Sequence, residues 1–272
     1  MKIYEGMIIV TDLDGTFLGS GECVPERNLR AVAEFVEKGG RFTVSTGRMM
    51  VDLDRALPDA VHLCNAPLIT SNGALIYDAV QQRVLSEHPM DKADTLALLQ
   101  WLRVRFPTTG GRVATNHGAL TDGEGAVIGQ DIVRYKEGQI RILSLEDWDL
   151  EDPDERWYKL VLRDTPEVLD EVRAAVRAAF AGRFTFADSA PAFFELNAPG
   201  CSKANAVRFL RKRYPGARII CCGDYGNDLA MLTAADLAVC PSNATDEVKA
   251  VSHLCLCPHT EGLIADLLPR LR

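Results

Sequence analysis

The chain has 272 residues, 47% of them hydrophobic, and a formal net charge of −8 at pH 7. That length and apolar content suffice for one good core and a smaller second one, so two domains are expected. The acidic balance argues against nucleic acid and acidic membrane surfaces as partners, and an anionic substrate would have to meet positive charge concentrated locally.

The first residues contain Glu5 and no long apolar segment behind it, unlike a signal peptide, and no run approaches the length of a membrane span. Residues 7–10 are an apolar run that reads as a buried strand, and it ends in Asp12-Leu13-Asp14-Gly15-Thr16. Two acids so close repel and raise each other's pKa, so their pairing calls for a cation or a shared proton. A hard divalent ion such as Mg²⁺ satisfies the first option, while a surface turn is the alternative, since Asp, Gly and Thr are common turn residues.

Residues 25–38 carry Leu29, Val32, Ala33 and Val36 at helical spacing, with Gly39-Gly40 as a stop. Residues 41–45 form a second strand ending in Thr46-Gly47-Arg48, and residues 67–70 a third ending in Ser71-Asn72-Gly73. This alternation predicts an α/β fold built on a doubly wound, mostly parallel sheet. From residue 82 the texture changes. A helix over 94–106, Gly-rich and polar segments, a strand over 157–162, a striped helix over 166–180 and strands at 184–186 and 193–196 read as an inserted α+β domain over 82–189.

Alternation resumes with a helix over 203–214, for which Ser202 is the expected N-cap, then strands at 219–222 and 237–240 and a final helix. The core domain is therefore split in sequence, 1–81 and 190–272. Eight cysteines lie scattered through apolar stretches without framework spacing, which reads as reduced thiols in a cytoplasmic protein. Cys255-Leu256-Cys257, flanked by His253 and His259, has one intervening residue rather than the two to four of zinc sites.

Further polar clusters sit at successive strand ends: Thr46-Gly47-Arg48, Ser202-Lys203, and Gly223-Asp224-Tyr225-Gly226-Asn227-Asp228. In this order, and with a large insert between the second and third, the motifs resemble those of the haloacid dehalogenase superfamily, Cof-like subclass IIB. The resemblance spans the chain. It departs at Tyr225-Gly226, where many relatives have Gly-Glu.

The resemblance implies a Mg²⁺-dependent phosphatase that cleaves a small phosphorylated metabolite, with the insert as a cap domain supplying selectivity. It makes Asp12 the nucleophile that becomes a transient aspartyl phosphate, and Asp14 the acid and base, which requires a pKa raised relative to Asp12. It places Mg²⁺ on the side chains of Asp12 and Asp224 and the carbonyl of Asp14, with Asp228 acting directly or through water. Thr46, Gly47, Asn227 and Lys203 would hold phosphate. Arg48 and Asn72 are candidates for substrate contact, with a structural ion pair and a turn or hinge as their alternatives. The aromatic residues Trp157, Tyr158, Phe193 and Phe194 read as packing before they read as a cleft. The same site residues would also serve a phosphomutase, told apart by its products, or a phosphosugar-binding sensor, which would need no nucleophile.

Overall fold

A computed structural model describes residues 2–58, 60–125 and 127–271. In chain order its strands are β1 (Met7–Thr11), β2 (Arg41–Val44), β3 (Leu68–Thr70), β4 (Leu75–Asp78), β5 (Arg83–Glu87), β6 (Gly110–Thr115), β7 (Gly118–Thr121), β8 (Ile140–Ile142), β9 (Trp157–Arg163), β10 (Thr185–Ala190), β11 (Phe193–Asn197), β12 (Arg218–Cys222), β13 (Leu237–Pro241) and β14 (Leu254–Leu256). The chain divides into two compact units, one of residues 1–87 with 202–272 and one of residues 88–201.

The first unit holds a five-stranded parallel sheet in the order β14-β13-β12-β1-β2. Its strands read as continuous apolar runs because both faces are covered. Ile8 and Val10 enter a cluster with Val207, Leu210, Ile219 and Met231, whereas Ile9 enters another with Val32, Phe35, Phe42, Val44 and Leu263. Alternate side chains of one strand thus feed cores on opposite faces. Burying each of these side chains fully contributes about 1.5–3 kcal/mol. The helix Glu26–Glu37 supplies Ala31, Val32 and Phe35 to the core and stops before Gly39, whose φ is +95°.

The third strand differs from the expected parallel arrangement. β3 pairs antiparallel with β4, which pairs antiparallel with β5, in a separate three-stranded sheet. An isolated parallel bridge between Ser45 and Ile69 joins β3 to the chain leaving β2.

The second unit is built on a six-stranded sheet ordered β10-β11-β9-β6-β7-β8, antiparallel except between β7 and β8. The helix Lys92–Arg105, capped by the Asp91 carboxylate accepting from Asp94 N–H, lays Leu99 over Gly111, where an added Cβ would overlap it. Trp157, Tyr158 and Phe194 are buried, so packing accounts for them. On the other face Lys159 and Glu195 form a buried ion pair of 2.7 Å. The boundaries fall after residues 87 and 201 rather than 81 and 189, because β5 completes the sheet of β4 and because β10 and β11 extend that of β9.

Among the described residues no helix is long and apolar enough to cross a membrane. All eight cysteines are free thiols, five of them buried.

Candidate active site

Strand register brings the motifs together. Thr11, the last residue of β1, pairs with Cys222 on one side and Val44 on the other. Asp12, Ser45 and Gly223 therefore leave the sheet side by side, each one step past the ladder. Asp12 N–H still donates to Cys222 O at 2.8 Å, and Ser45 N–H to Thr11 O at 2.8 Å, which fixes both exits.

After Asp12 the backbone makes one wide turn over Leu13–Phe17, closed by Leu18 N–H donating to Leu13 O at 2.9 Å. Gly15 takes φ +74° in this turn, and a Cβ there would overlap Oδ2 of Asp224. Thr16, fully buried, donates from Oγ1 to Asp224 Oδ1 at 2.6 Å, and Asn243 Nδ2 donates to Gly15 O at 2.9 Å. The turn is thus the template that seats Asp224. Gly15→Ala combines a disfavoured φ with a displaced carboxylate, so it should lower stability by about 1–3 kcal/mol and weaken Mg²⁺ binding. Urea unfolding and calorimetric titration check this, and unchanged values on both would refute it.

One ligand atom from each of Asp12, Asp224 and Asp228 lies within 4.8 Å of the others. Among the described residues this is the group of acids, thiols and imidazoles placed to hold a metal ion, and the Cys255-Cys257 stretch has no part in it. Lys203, fully buried, donates from Nζ to Asp12 Oδ1 and to Asp228 Oδ1, each at 2.7 Å. Asp228 Oδ2 accepts from the backbone N–H groups of Asp224 (3.0 Å) and Tyr225 (3.3 Å), which folds the acidic loop onto itself.

Lys203 is delivered by a tight loop-to-loop approach. Ser71, Asn72 and Gly73 take φ of +50°, +59° and +86°, and a Cβ on Gly73 would come to 2.5 Å from Ser202 O. The helix that follows runs Ala204–Arg213, and its N-cap position is Lys203, with no side-chain cap; Ser202 does not fill that role. A lysine at this point leaves the backbone free to turn while its side chain reaches the carboxylates.

Three carboxylates surround one ammonium, so the cluster retains an excess of negative charge. Burial pushes the Asp12 carboxyl well above its usual range, Lys203 pulls it back, and Asp228, Asp224 and Asp14 add to the rise. Burial and Asp228 likewise push Asp224 up to about 6, against the lowering hydrogen bond from Thr16. Burial alone would lower Lys203, yet Asp12 and Asp228 hold it charged, above the usual lysine range. The second oxygens of Asp12 and Asp224 accept no hydrogen bond among the described residues. Unshared carboxylate oxygens with raised pKa values are the donor set that a hard divalent cation satisfies, so the residues fit Mg²⁺.

A carboxylate whose folded pKa exceeds its unfolded value destabilises the fold once it must ionise, so without metal stability should fall as pH rises from about 4 to about 6 through Asp224. A divalent cation held by these acids would bind the ionised form, so the stabilisation by added Mg²⁺ should grow over the same interval and level off above it. Thermal unfolding with Mg²⁺ and with a chelator, across pH 4 to 8, measures the difference; a pH-independent Mg²⁺ effect would contradict the assignment.

Asp14 stands apart from the metal group. Its carboxylate is paired with Arg48, Nε to Oδ2 at 2.9 Å and Nη2 to Oδ1 at 2.6 Å. Arg48 reaches Glu22 as well, at 3.1 Å. Thr46 is fully buried, its Oγ1 accepting from Arg48 N–H at 3.1 Å, and Gly47 lies between them. Asn72 and Asn227 meet each other, Nδ2 of Asn227 lying 3.5 Å from Oδ1 of Asn72.

Residues 9–268 match the family described as haloacid dehalogenase-like hydrolase. The chain belongs to that family. As such it is an enzyme, a hydrolase of the phosphatase type, and its Cof-like motifs are in place. It is 29% identical over 244 residues to the 5-amino-6-(5-phospho-D-ribitylamino)uracil phosphatase YcsE of Bacillus subtilis, covering 89% of this chain and 86% of that one. It is 28% identical over 246 residues to the putative phosphatase YxeH of the same organism, covering 89% of each. The fold matches a haloacid dehalogenase-like hydrolase from B. subtilis with a TM-score of 0.84 at 24% identity, covering 97% of this chain and 99% of that one. A second match, from Bacteroides thetaiotaomicron, has a TM-score of 0.80 at 22% identity over 99% and 100%.

Two residues of this haloacid dehalogenase-like site escaped the sequence reading as functional groups: Thr16 on Asp224 and Glu22 on Arg48. Thr16 had a signal, since it belongs to the opening motif. Glu22 had none, lying in an ordinary polar turn.

Proposed function

We propose that this haloacid dehalogenase-like hydrolase is a Mg²⁺-dependent phosphatase that hydrolyses a small phosphorylated metabolite through an aspartyl-phosphate intermediate. The reading is carried by the convergence of Asp12, Lys203, Asp224 and Asp228, from three separate stretches of chain, on one point at the sheet edge. A buried carboxylate flanked by a buried ammonium is the arrangement a phosphoryl acceptor needs, because the attacking oxygen must approach an anion.

In this reading Asp12 attacks phosphorus, while Lys203 balances the charge that accumulates between Asp12 and the phosphoryl oxygens. Asp12, Asp224 and the Asp14 carbonyl would hold Mg²⁺, which would supply positive charge against the phosphate and the nucleophile. Asp228, with one oxygen on Lys203 and the other on backbone N–H groups, acts by holding the loop and through water. Asp14 passes a proton to the leaving oxygen and later takes one from the attacking water. Thr46, Gly47 and Asn227 orient the phosphoryl oxygens, and Asn72 positions Asn227.

A phosphate-release screen over sugar phosphates, phosphorylated vitamins and nucleotide-derived esters, with Mg²⁺ and with a chelator, tests the reading. Ribitylaminouracil phosphates belong in the first set because relatives act on one. Turnover by several esters that disappears with the chelator is the expected result. An isomerised sugar phosphate without free phosphate would make the chain a mutase, and turnover indifferent to the chelator would remove Mg²⁺.

A further inference from the structure

Both carboxylate oxygens of Asp14 are occupied by a single guanidinium, with Arg48 Nε and Nη2 at 2.9 and 2.6 Å. The same Nη2 lies 3.1 Å from Glu22 Oε1, and Nη1 lies 3.5 Å from Glu22 Oε2. The cation is therefore shared between two acids and sits closer to Asp14. Its side chain is only 14% exposed, whereas those of Asp14 and Glu22 are 54% and 52% exposed. Glu22 reaches it from a turn, Ser20–Glu22, in which Gly21 and Glu22 both take left-handed backbone, φ +69° and +60°. Glycine adopts that conformation freely and glutamate does not, so the turn holds Glu22 against a local preference.

An acid–base group must turn an oxygen toward the substrate, and Asp14 has none free of Arg48 in this arrangement. The fork has to open, and a half-buried guanidinium leaving one carboxylate takes another acceptor within reach. We propose that Glu22 is a positioning residue that provides this second acceptor: Arg48 alternates between Asp14 and Glu22, releasing Asp14 for proton transfer when it leans to Glu22. The exchange is between two ion pairs and needs no bond made or broken. Its catalytic consequence rests on the phosphatase reading of Asp14, whereas the exchange itself does not.

Glu22→Ala leaves Arg48 with one carboxylate, so Asp14 is released less often. The expected result is a kcat about tenfold lower with KM within about twofold, because Glu22 takes no part in holding phosphate. Arg48→Ala removes the clamp, and adding Glu22→Ala to it should then cost nothing further, a non-additivity that a general folding defect would not produce. The kinetics use p-nitrophenyl phosphate with Mg²⁺, and the side-chain Nε–Hε resonance of Arg48 is recorded on the same proteins without substrate. That resonance should be exchange-broadened in the unaltered protein and sharp in Glu22→Ala. Unchanged kcat in Glu22→Ala, equal losses in both backgrounds, or a resonance indifferent to the substitution would overturn the proposal. If the unaltered protein releases no phosphate from any ester, the phosphatase reading fails while the resonance still decides whether Arg48 exchanges.

Discussion

Asp12→Asn is expected to abolish phosphate release, by roughly four orders of magnitude or more, while leaving the fold intact. The amide has nearly the same shape, and its one oxygen can still accept from Lys203 Nζ. What it loses is the nucleophilic oxygen and the charge. Burial already pushes the Asp12 carboxyl well above its ordinary range, so a neutral group there relieves a cost, and the melting temperature without metal should hold or rise. Phosphate assays and thermal unfolding together make the test. Retained turnover would exclude Asp12 as nucleophile, and a collapsed melting temperature would show that the charge supports the fold.

The second large effect is expected at Lys203. Its ammonium is fully buried between Asp12 and Asp228, both also buried, with contacts of 2.7 Å to each. Replacing it with methionine keeps the stem and leaves two buried carboxylates facing each other without a counter-charge. Breaking a buried pair in this way costs about 3–5 kcal/mol, more than the pair would be missed if both partners were apolar. Urea unfolding without metal should therefore show a loss of that size for Lys203→Met. Adding Asp228→Asn should recover part of it, since one of the stranded charges is gone. Mg²⁺ should narrow the gap for the same electrostatic reason. Unfolding midpoints equal to those of the unaltered chain would mean that water reaches these carboxylates and that the site is less enclosed than its burial implies. Catalysis should fall as well, because the charge that offsets the phosphoryl group is absent.

These two results bear on different parts of one arrangement. Asp12 tests the chemistry and leaves the electrostatic balance easier than before, while Lys203 tests the balance on which both the core and the chemistry depend. The acids that converge on it destabilise each other when the cation is removed. Stability and activity are coupled here through the same three carboxylates.

Much of the site was legible because its acids follow the ends of strands that announce themselves by composition. The apolar run at residues 7–10 and the acids after it reveal a buried strand with ligands at its edge, and the same holds for Ile219-Ile220-Cys221-Cys222 before Asp224. The helix Pro166–Ala179 follows from its periodicity, whereas the helix Glu26–Glu37 turns Ala31, Val32 and Phe35 inward and leaves Leu29 and Ala33 of the expected stripe exposed. Motif order supplied what single residues could not, since Lys203 alone would read as a solvated surface group.

Other features depended on contacts distant in sequence. β3 has the composition of a parallel strand, but its neighbours β4 and β5 take it into an antiparallel sheet, and nothing local distinguishes the two pairings. β6 and β7 begin or border on glycines that look like loop, yet Gly110 and Gly111 are there because side chains of Ile128 and Leu99 fill the space a Cβ would need. The Ser202 hydroxyl resembles a helix cap, whereas the approach of Gly73 to its carbonyl sets the geometry of that entry.

By itself the sequence determined the α/β class, the split core, the family and the identity of the acids and the lysine, because these follow from local hydrophobic periodicity and from the order of residues along the chain. Only the tertiary structure decided that Lys203 bridges Asp12 and Asp228, that Thr16 and Gly15 seat Asp224, and that Arg48 occupies Asp14. Hydrogen bonds and ion pairs form between groups a few ångströms apart in space, and strand register, which is a global property, fixes which groups those are.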